Sequence, residues 1–330
     1  MVSSLLMRYI YDMTTTSIST SITTLCLNPA LDVTYHVPML IEEQKSRSDS
    51  ARHDPGGNGI NIGRALKRMQ VDAHTFCIVA GDVGQLLQRL LEQQLDNVYY
   101  EHVDGETRIN STIIEVDTKK QYQVTDAGTE IPSTQLNRVI NDFVNQTGQG
   151  FGIITGSCQP NVPCGLYAKL VEQINQHGGK AVIDTHGEAL RLAIAAKPFL
   201  IKPNRYELET IIGRELPTIV EVASEGRKIQ TNGVDHVCIS LGEEGAILVS
   251  PDNSYYAQAL NVPVNTTVGA GDSMVAGLVA GFSIGKGPEQ ALRYGISCGA
   301  GTVMHPGTEL FSGDELAGFR RQVVIETLNI

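Results

Sequence analysis

The stretch Thr267-Val268-Gly269-Ala270-Gly271-Asp272-Ser273-Met274 has the residue types and spacing to move a phosphoryl group. Small residues leave backbone N–H groups uncovered. A helix starting here aims those N–H groups, and its positive dipole end, at an anion. Asp272 stands where a carboxylate could take the proton of a hydroxyl beside that anion. An anion hole next to a general base is the layout for phosphoryl transfer to an alcohol. The same residues also suit a plain capped helix start, so the rest of the chain has to weigh in.

Three further groups could carry chemistry. Pro55-Gly56-Gly57-Asn58-Gly59-Ile60-Asn61-Ile62-Gly63-Arg64-Ala65 is glycine-rich, with Asn61 as a two-way hydrogen bonder. It suits a small polar ligand touching backbone. It suits a dinucleotide fingerprint poorly, because Asp49–Pro55 is charged and ends in proline where an apolar strand is needed. Asn204 and Glu207 lie three apart at a strand-to-helix junction, where they could hold a hydrated Mg²⁺. The competing reading is a capping box. Lys45, Arg47 and Arg108 are candidate cations for a substrate phosphate, though exposed Lys and Arg are usually solvated charge. Gly281–Lys286 fails as a P-loop on spacing.

The elements that must position these groups follow from patterning. Ser21–Leu27 reads as a buried strand and Ile60–Met69 as a helix. Val33–Val37 and Ser46–His53 are polar and read as exposed strands, with a turn at Asp54–Gly57. Arg108–Val116 and Gln121–Thr125 read as a hairpin. From Phe151 onward strands and helices alternate. Helices are expected at Asp272–Phe282, Glu289–Val303 and Asp314–Glu326. Alternation predicts a mostly parallel sheet covered on both faces. The polar strands predict a small separate sheet.

Composition bounds the rest. The chain has 330 residues, 42% of them hydrophobic, enough for a large core. The net charge of −11 argues against nucleic-acid binding. Cys26, Cys77, Cys158, Cys164, Cys238 and Cys298 show no C-x-x-C spacing and read as reduced core thiols of a cytoplasmic protein. The eight histidines form no metal-ligand pattern. No apolar run is long enough to span a bilayer. Residues 1–20 read as a flexible extension with no part in the fold.

Taken together, these motifs resemble the ribokinase-like (PfkB) family of carbohydrate kinases, from about Thr23 to the C-terminal helix. The resemblance rests on Leu27-Asn28-Pro29-Ala30-Leu31-Asp32, Ile154-Thr155-Gly156-Ser157, Ile183-Asp184, Ile201-Lys202-Pro203-Asn204 with Glu207, Ser240–Gly245 and Thr267–Asp272. The phosphosugar branch is the most similar: type II 6-phosphofructokinase, 1-phosphofructokinase and tagatose-6-phosphate kinase.

The resemblance implies a three-layer α/β/α core (21–32, 55–103 and 127–330) with a small β lid (33–54 and 104–126). It implies Asp272 as base and Gly269, Ala270 and Gly271 as anion hole. Asp32, Gly57, Asn61 and Ser157 would hold the sugar, and Lys45, Arg47 and Arg108 its phosphate. Lys202, Asn204, Ser240, Gly242, Gly245 and Thr267 would line the ATP site. Asn204 and Glu207 would organise Mg²⁺ through water. The segment Met304–Thr308 would bear on a K⁺ site, and the lid would pair two subunits into a homodimer. The chain departs from the family at Asn58, at Cys158-Gln159-Pro160 and at His305.

The expected activity is ATP-dependent phosphorylation of a ketohexose phosphate, with fructose 6-phosphate first, fructose 1-phosphate second and tagatose 6-phosphate third. A non-catalytic sugar-phosphate sensor is the rival from another class. A dehydrogenase rests on Gly57-x-Gly59 alone.

Overall fold

A computed structural model describes residues 20–157, 159 and 161–329. The expected extension therefore lies, apart from Thr20, outside the described residues, as do Cys158 and Pro160.

Ten strands form one large sheet. β1 (Ile22–Cys26) lies inside it, flanked by β4 (His74–Ala80) and β5 (Val98–Val103) on one side. On the other side lie β8 (Phe151–Thr155), β9 (Lys180–Asp184), β10 (Leu200–Ile201) and β11 (His236–Ser240). These seven strands pair in parallel. β12 (Ala246–Val249), β13 (Ser254–Ala257) and β14 (Ile325–Leu328) extend the sheet antiparallel.

Successive strand residues point to opposite faces, and the core divides accordingly. Leu25, Ile154, Ile183 and Ile239 face one cluster, with α3 (Ser133–Thr147), α4 (Leu166–Gln176), α5 (Gly187–Ala195), α6 (Arg205–Ile212) and α7 (Ile219–Thr231). Ile22, Ile153, Val182 and Cys238 face the other, with α1 (Asn58–Arg68), α8 (Ala270–Ser283), α9 (Pro288–Val303) and α10 (Leu316–Gln322). α2 (Gly81–Leu91) covers Cys77 and Val79 near the β5 edge. This is the expected three-layer core.

The small sheet has the order β3-β2-β6-β7, from β3 (Ala51–Gly56), β2 (Ala30–Val37), β6 (Arg108–Glu115) and β7 (Gln121–Val124). β6 and β7 form the expected hairpin. Three local expectations are corrected. Asp54–Gly56 is not a turn but the end of β3, paired with Ala30–Asp32. β2 is largely buried rather than exposed, because it sits between β3 and β6. The helix expected over Asp314–Glu326 is only α10, and the chain then extends into β14, where pairing with β13 outweighs local helix propensity.

The sheet order places the site. The first strands run β1, β4, β5 outward, and β8 returns to the opposite side of β1. Such a reversal opens a crevice at the carboxyl ends of the parallel strands. Asn28, Gly156, Asp184, Lys202 and Ser240 all stand at those ends.

Candidate active site

Asp272 occupies the third position of α8 and is 5% exposed. Its carboxyl accepts a hydrogen bond from Asn61 Nδ2 at 2.8 Å and another from the Asn58 amide. Both asparagines lie on the first turn and a half of α1, three residues apart, so they share one helix face. Burial pushes the carboxyl up to about 7, and Asp184 adds to the rise, while the two amides and Lys202 oppose it. A carboxylate titrating near neutrality is matched to general-base work.

The turn before α8 leaves backbone N–H groups uncovered, as the expected anion hole requires. Gly269 holds φ of 76°, the left-handed region, which a side chain rarely adopts, and a Cβ there would press on Leu310 at 3.1 Å. The Ala270 N–H already donates to Thr267 O at 3.3 Å. The Gly271 N–H, at the second helical position, has no intrahelical acceptor. A Cβ at Gly271 would lie 3.3 Å from Lys202 Nζ, so a buried ammonium faces the same space.

Lys202 pairs with Asp184 Oδ1 at 3.2 Å, both largely buried. Asp184 and Glu207 raise the Lys202 pKa and keep it charged, although burial acts against them. Asn204 and Glu207 form a full capping box on α6: Asn204 Oδ1 accepts from the Glu207 N–H at 2.8 Å, and Glu207 Oε2 accepts from the Asn204 N–H at 2.8 Å. The capping reading thus holds for both residues. Burial nonetheless raises the Glu207 pKa, and Lys202 lies close enough to lower it, so Glu207 stays in the electrostatic field of the site. No group of three His, Cys, Asp or Glu suited to a metal occurs among the described residues. These residues fit a cation held through water and phosphate, not an all-protein metal cage.

The residues expected on the sugar side, Asp32 and Arg108, lie on the small sheet. Asp32 on β2 accepts from Asn110 Nδ2 at 2.9 Å, and burial raises its pKa against the pull of Asn110 and Arg108. Arg108 is not a free clamp. Its guanidinium donates to Asn28 O at 2.8 Å and to Asp126 O at 3.1 Å, tying β6 to the end of β1. Its Nε is buried without a partner.

The remaining candidates divide. Gly57 is the N-cap of α1 and adjoins Cys26, and Ser157 follows Gly156, whose N–H donates to Asp184 O at 3.0 Å. Ser240 bridges to Asn204. Gly242 opens a 3₁₀ turn and Gly245 closes it, where a Cβ would collide with the carbonyl of Ala257. Thr267 is exposed on the loop before α8. Lys45 and Arg47 lie on the exposed loop between β2 and β3, not on a strand. Neither makes a hydrogen bond or ion pair among the described residues, and the structure does not bring them into the cluster around Asp272. The dinucleotide fingerprint fails, because the glycines follow β3 of the small sheet and bring α1 against β1.

Sequence reasoning passed over Asn58, Asp184 and Arg64 as site residues. Arg64 Nη1 donates to Asn61 Oδ1 at 3.3 Å and to Thr308 O at 3.0 Å. The signal in α1 was available: Asn58, Asn61 and Arg64 recur every three residues between the apolar and small positions Gly59, Ile60, Ile62, Gly63 and Ala65.

Comparison with known proteins agrees with this geometry. The family described as pfkB family carbohydrate kinase matches residues 25–313. A 1-phosphofructokinase of Bacillus subtilis (strain 168) is 32% identical over 290 residues, covering 87% of this chain and 95% of the relative. The ATP-dependent 6-phosphofructokinase isozyme 2 of Escherichia coli (strain K12) is 29% identical over 294 residues, covering 88% of this chain and 95% of the relative. The crystal structure of phosphofructokinase-2 from Escherichia coli in complex with potassium superposes with a TM-score of 0.88 at 28% identity, covering 92% and 99% of the two chains. With the family matched along most of its length, and the buried carboxylate and glycine turn in place, the chain belongs to the pfkB family of carbohydrate kinases and is a phosphofructokinase-type sugar-phosphate kinase.

Proposed function

We propose that the protein transfers the terminal phosphoryl group of ATP to a free primary hydroxyl of a fructose monophosphate, giving fructose 1,6-bisphosphate. The observation that carries this reading is Asp272, buried at the start of α8 between two donor asparagines and the Gly269–Gly271 turn. In the step, the hydroxyl oxygen forms the new O–P bond and the bond from phosphorus to ADP breaks. The hydroxyl proton goes to Asp272. The Gly271 N–H and the Lys202 ammonium stabilise charge on the transferring group. Bound Mg²⁺ would neutralise phosphate charge, and Asn204 and Glu207 would hold it through water.

Fructose 6-phosphate and fructose 1-phosphate give the same product and differ in which end of the sugar meets Asp272. The segments Gly56-Gly57-Asn58-Gly59 and His305-Pro306-Gly307-Thr308 lean toward fructose 6-phosphate by their resemblance to the 6-phosphofructokinase branch. The names of the relatives add support for fructose 1-phosphate, because the Bacillus subtilis protein at 32% identity carries it. Tagatose 6-phosphate is the third acceptor. ADP release with Mg-ATP and each sugar at matched concentration tests the reading. Turnover of one or both fructose phosphates supports it. Binding without turnover of any sugar phosphate would replace it with the sensor.

Arg108 and Asp32 are assigned to the sugar side, with Lys45 and Arg47 reaching it only if the loop of residues 38–50 folds over the crevice. The small sheet is assigned as the lid and as the contact of a homodimer. Support comes from its exposed apolar side chains, among them Ile109, Tyr122 and Val124. Sedimentation equilibrium tests the dimer. Potassium activation is the expected monovalent-cation effect. No step is assigned to that ion, since the Met304 and Thr308 carbonyls of the segment already accept from Asn265 and Arg64. No helix among the described residues is long and apolar enough to cross a membrane. A cytoplasmic site of action remains part of the proposal.

A further inference from the structure

We infer that Arg64 is a positioning residue: its guanidinium fixes which end of the Asn61 amide faces Asp272, and so holds in place the donor that orients the carboxylate. The inference rests on the reading of Asp272 as base for its functional meaning, though not for its geometry.

The argument begins with the amide. Its two ends have nearly the same shape but opposite hydrogen-bonding character: NH₂ donates and oxygen accepts. A flipped Asn61 would set Oδ1 against the Asp272 carboxylate, acceptor against acceptor, in a buried site where an unmatched polar group costs most. A guanidinium has donors only. With Arg64 Nη1 against Asn61 Oδ1 at 3.3 Å, the NH₂ is left to face Asp272 Oδ2, which it reaches at 2.8 Å.

Arg64 is itself pinned. It is 4% exposed and donates through Nε to Gln94 Oε1 at 2.6 Å and through Nη1 to Thr308 O at 3.0 Å. Burial, with Arg68 and Arg52, pulls its pKa down to about 10, so it stays charged at neutral pH, and Asp54 and Asp32 face it as counter-charges. The charged groups that bear on Asp272 are Asp184, against it, and Lys202, for it. Arg64 therefore acts through the amide, one residue removed. The same Nη1 also meets Thr308 O at 3.0 Å and Pro55 O at 3.5 Å, so the guanidinium that faces the amide is held in place by backbone carbonyls.

The test uses the full-length protein labelled with ¹³C at aspartate carboxyls, the Asp272 signal being assigned by its loss in Asp272→Asn. Arg64→Met should raise the Asp272 titration midpoint by about half a unit or more, because a donor to the ionised form is lost. In an Asn61→Ala background the same substitution should add nothing further. No shift in Arg64→Met, or an equal shift in both backgrounds, overturns the inference, the second result meaning a direct charge effect. Where Arg64→Met does not fold, Arg64→Lys, which keeps a cation without the guanidinium fork, takes its place. The ¹⁵N signal of the Asn61 side-chain amide should titrate with the Asp272 carboxyl in the wild type and respond differently in the variant; an amide that ignores the titration in the wild type, or responds equally in both proteins, overturns the inference. This readout does not use turnover. Absence of kinase activity with every sugar phosphate would remove the base reading and leave the amide result intact.

Discussion

The Asn61 side-chain amide donates to Asp272 Oδ2 at 2.8 Å across 211 residues of sequence. That bond joins the first turns of α1 and α8 above the crevice, so the proposed sugar side and the proposed phosphoryl side meet in one carboxylate. Both ends are buried, which makes the pair sensitive to single substitutions.

Replacement of the base separates chemistry from stability. Asp272→Asn keeps the shape and should lower turnover by roughly a hundredfold or more, with ATP affinity little changed. The folded carboxyl titrates near 7 against 3.8 for its ordinary value, so the folded state holds the extra proton between these limits. Wild-type stability therefore falls as pH rises through that window. Asp272→Asn should melt higher than wild type at pH 8, and the gap should close toward pH 4. Calorimetry at both pH values, beside initial rates, checks the pair. Turnover near that of the wild type would remove the base assignment.

The pH profile follows from the same group. With Asp272 required in its ionised form, kcat/KM should fall about tenfold per unit as pH drops below about 7. Rates from pH 5.5 to 8.5 at constant ionic strength measure it. A flat profile across this range would mean that another group takes the proton.

Arg108 ties the fold to the proposed sugar side. Arg108→Ala removes two hydrogen bonds to backbone carbonyls as well as a cation. The expected result is a rise of tenfold or more in KM for the sugar phosphate, with a smaller change in kcat. If the loss is the same with an unphosphorylated sugar, the residue serves only to tie β6 to β1.

Gly245 is constrained by the fold itself. It holds φ of 105°, and a Cβ would collide with a backbone carbonyl that cannot move aside. Gly245→Ala should cost on the order of 1–3 kcal/mol or more and lower the melting temperature. Gly242→Ala meets open space and should cost less, since only its φ of 63° opposes the change. Equal melting temperatures for the two variants would contradict this division.

His236 ties stability to acid. It packs against Phe199 and Phe282 with ring centroids 4.8 and 4.7 Å away, and burial depresses its pKa to about 4. The unfolded chain binds the proton near 6.5, so this residue's contribution is whole above that pH and is lost as pH falls toward 4. His236→Phe should flatten the fall in stability across that window. Urea melts at pH 7 and pH 4.5 provide the comparison, and an unchanged slope would exclude His236 as a cause.

Much of this protein is legible in local pattern. The glycine turn and Asp272 are contiguous, so their candidacy as anion hole and base is visible without tertiary information. The alternation from Phe151 onward fixes a covered parallel sheet, because a strand buried on both faces and a helix buried on one leave different apolar periods. The carbohydrate-kinase family follows from motifs that are each short and local. Tertiary structure decided the rest. Whether the residues after Gln322 continue as helix depended on β13 offering an unpaired edge. Whether Arg108 stood free depended on where the carbonyls of Asn28 and Asp126 came to lie. Asn58, Asn61 and Arg64 are three polar residues on one helix until α8 arrives with Asp272. Only then does burial without full compensation move a carboxylate toward neutrality, because desolvation is a property of the assembled site and not of any segment.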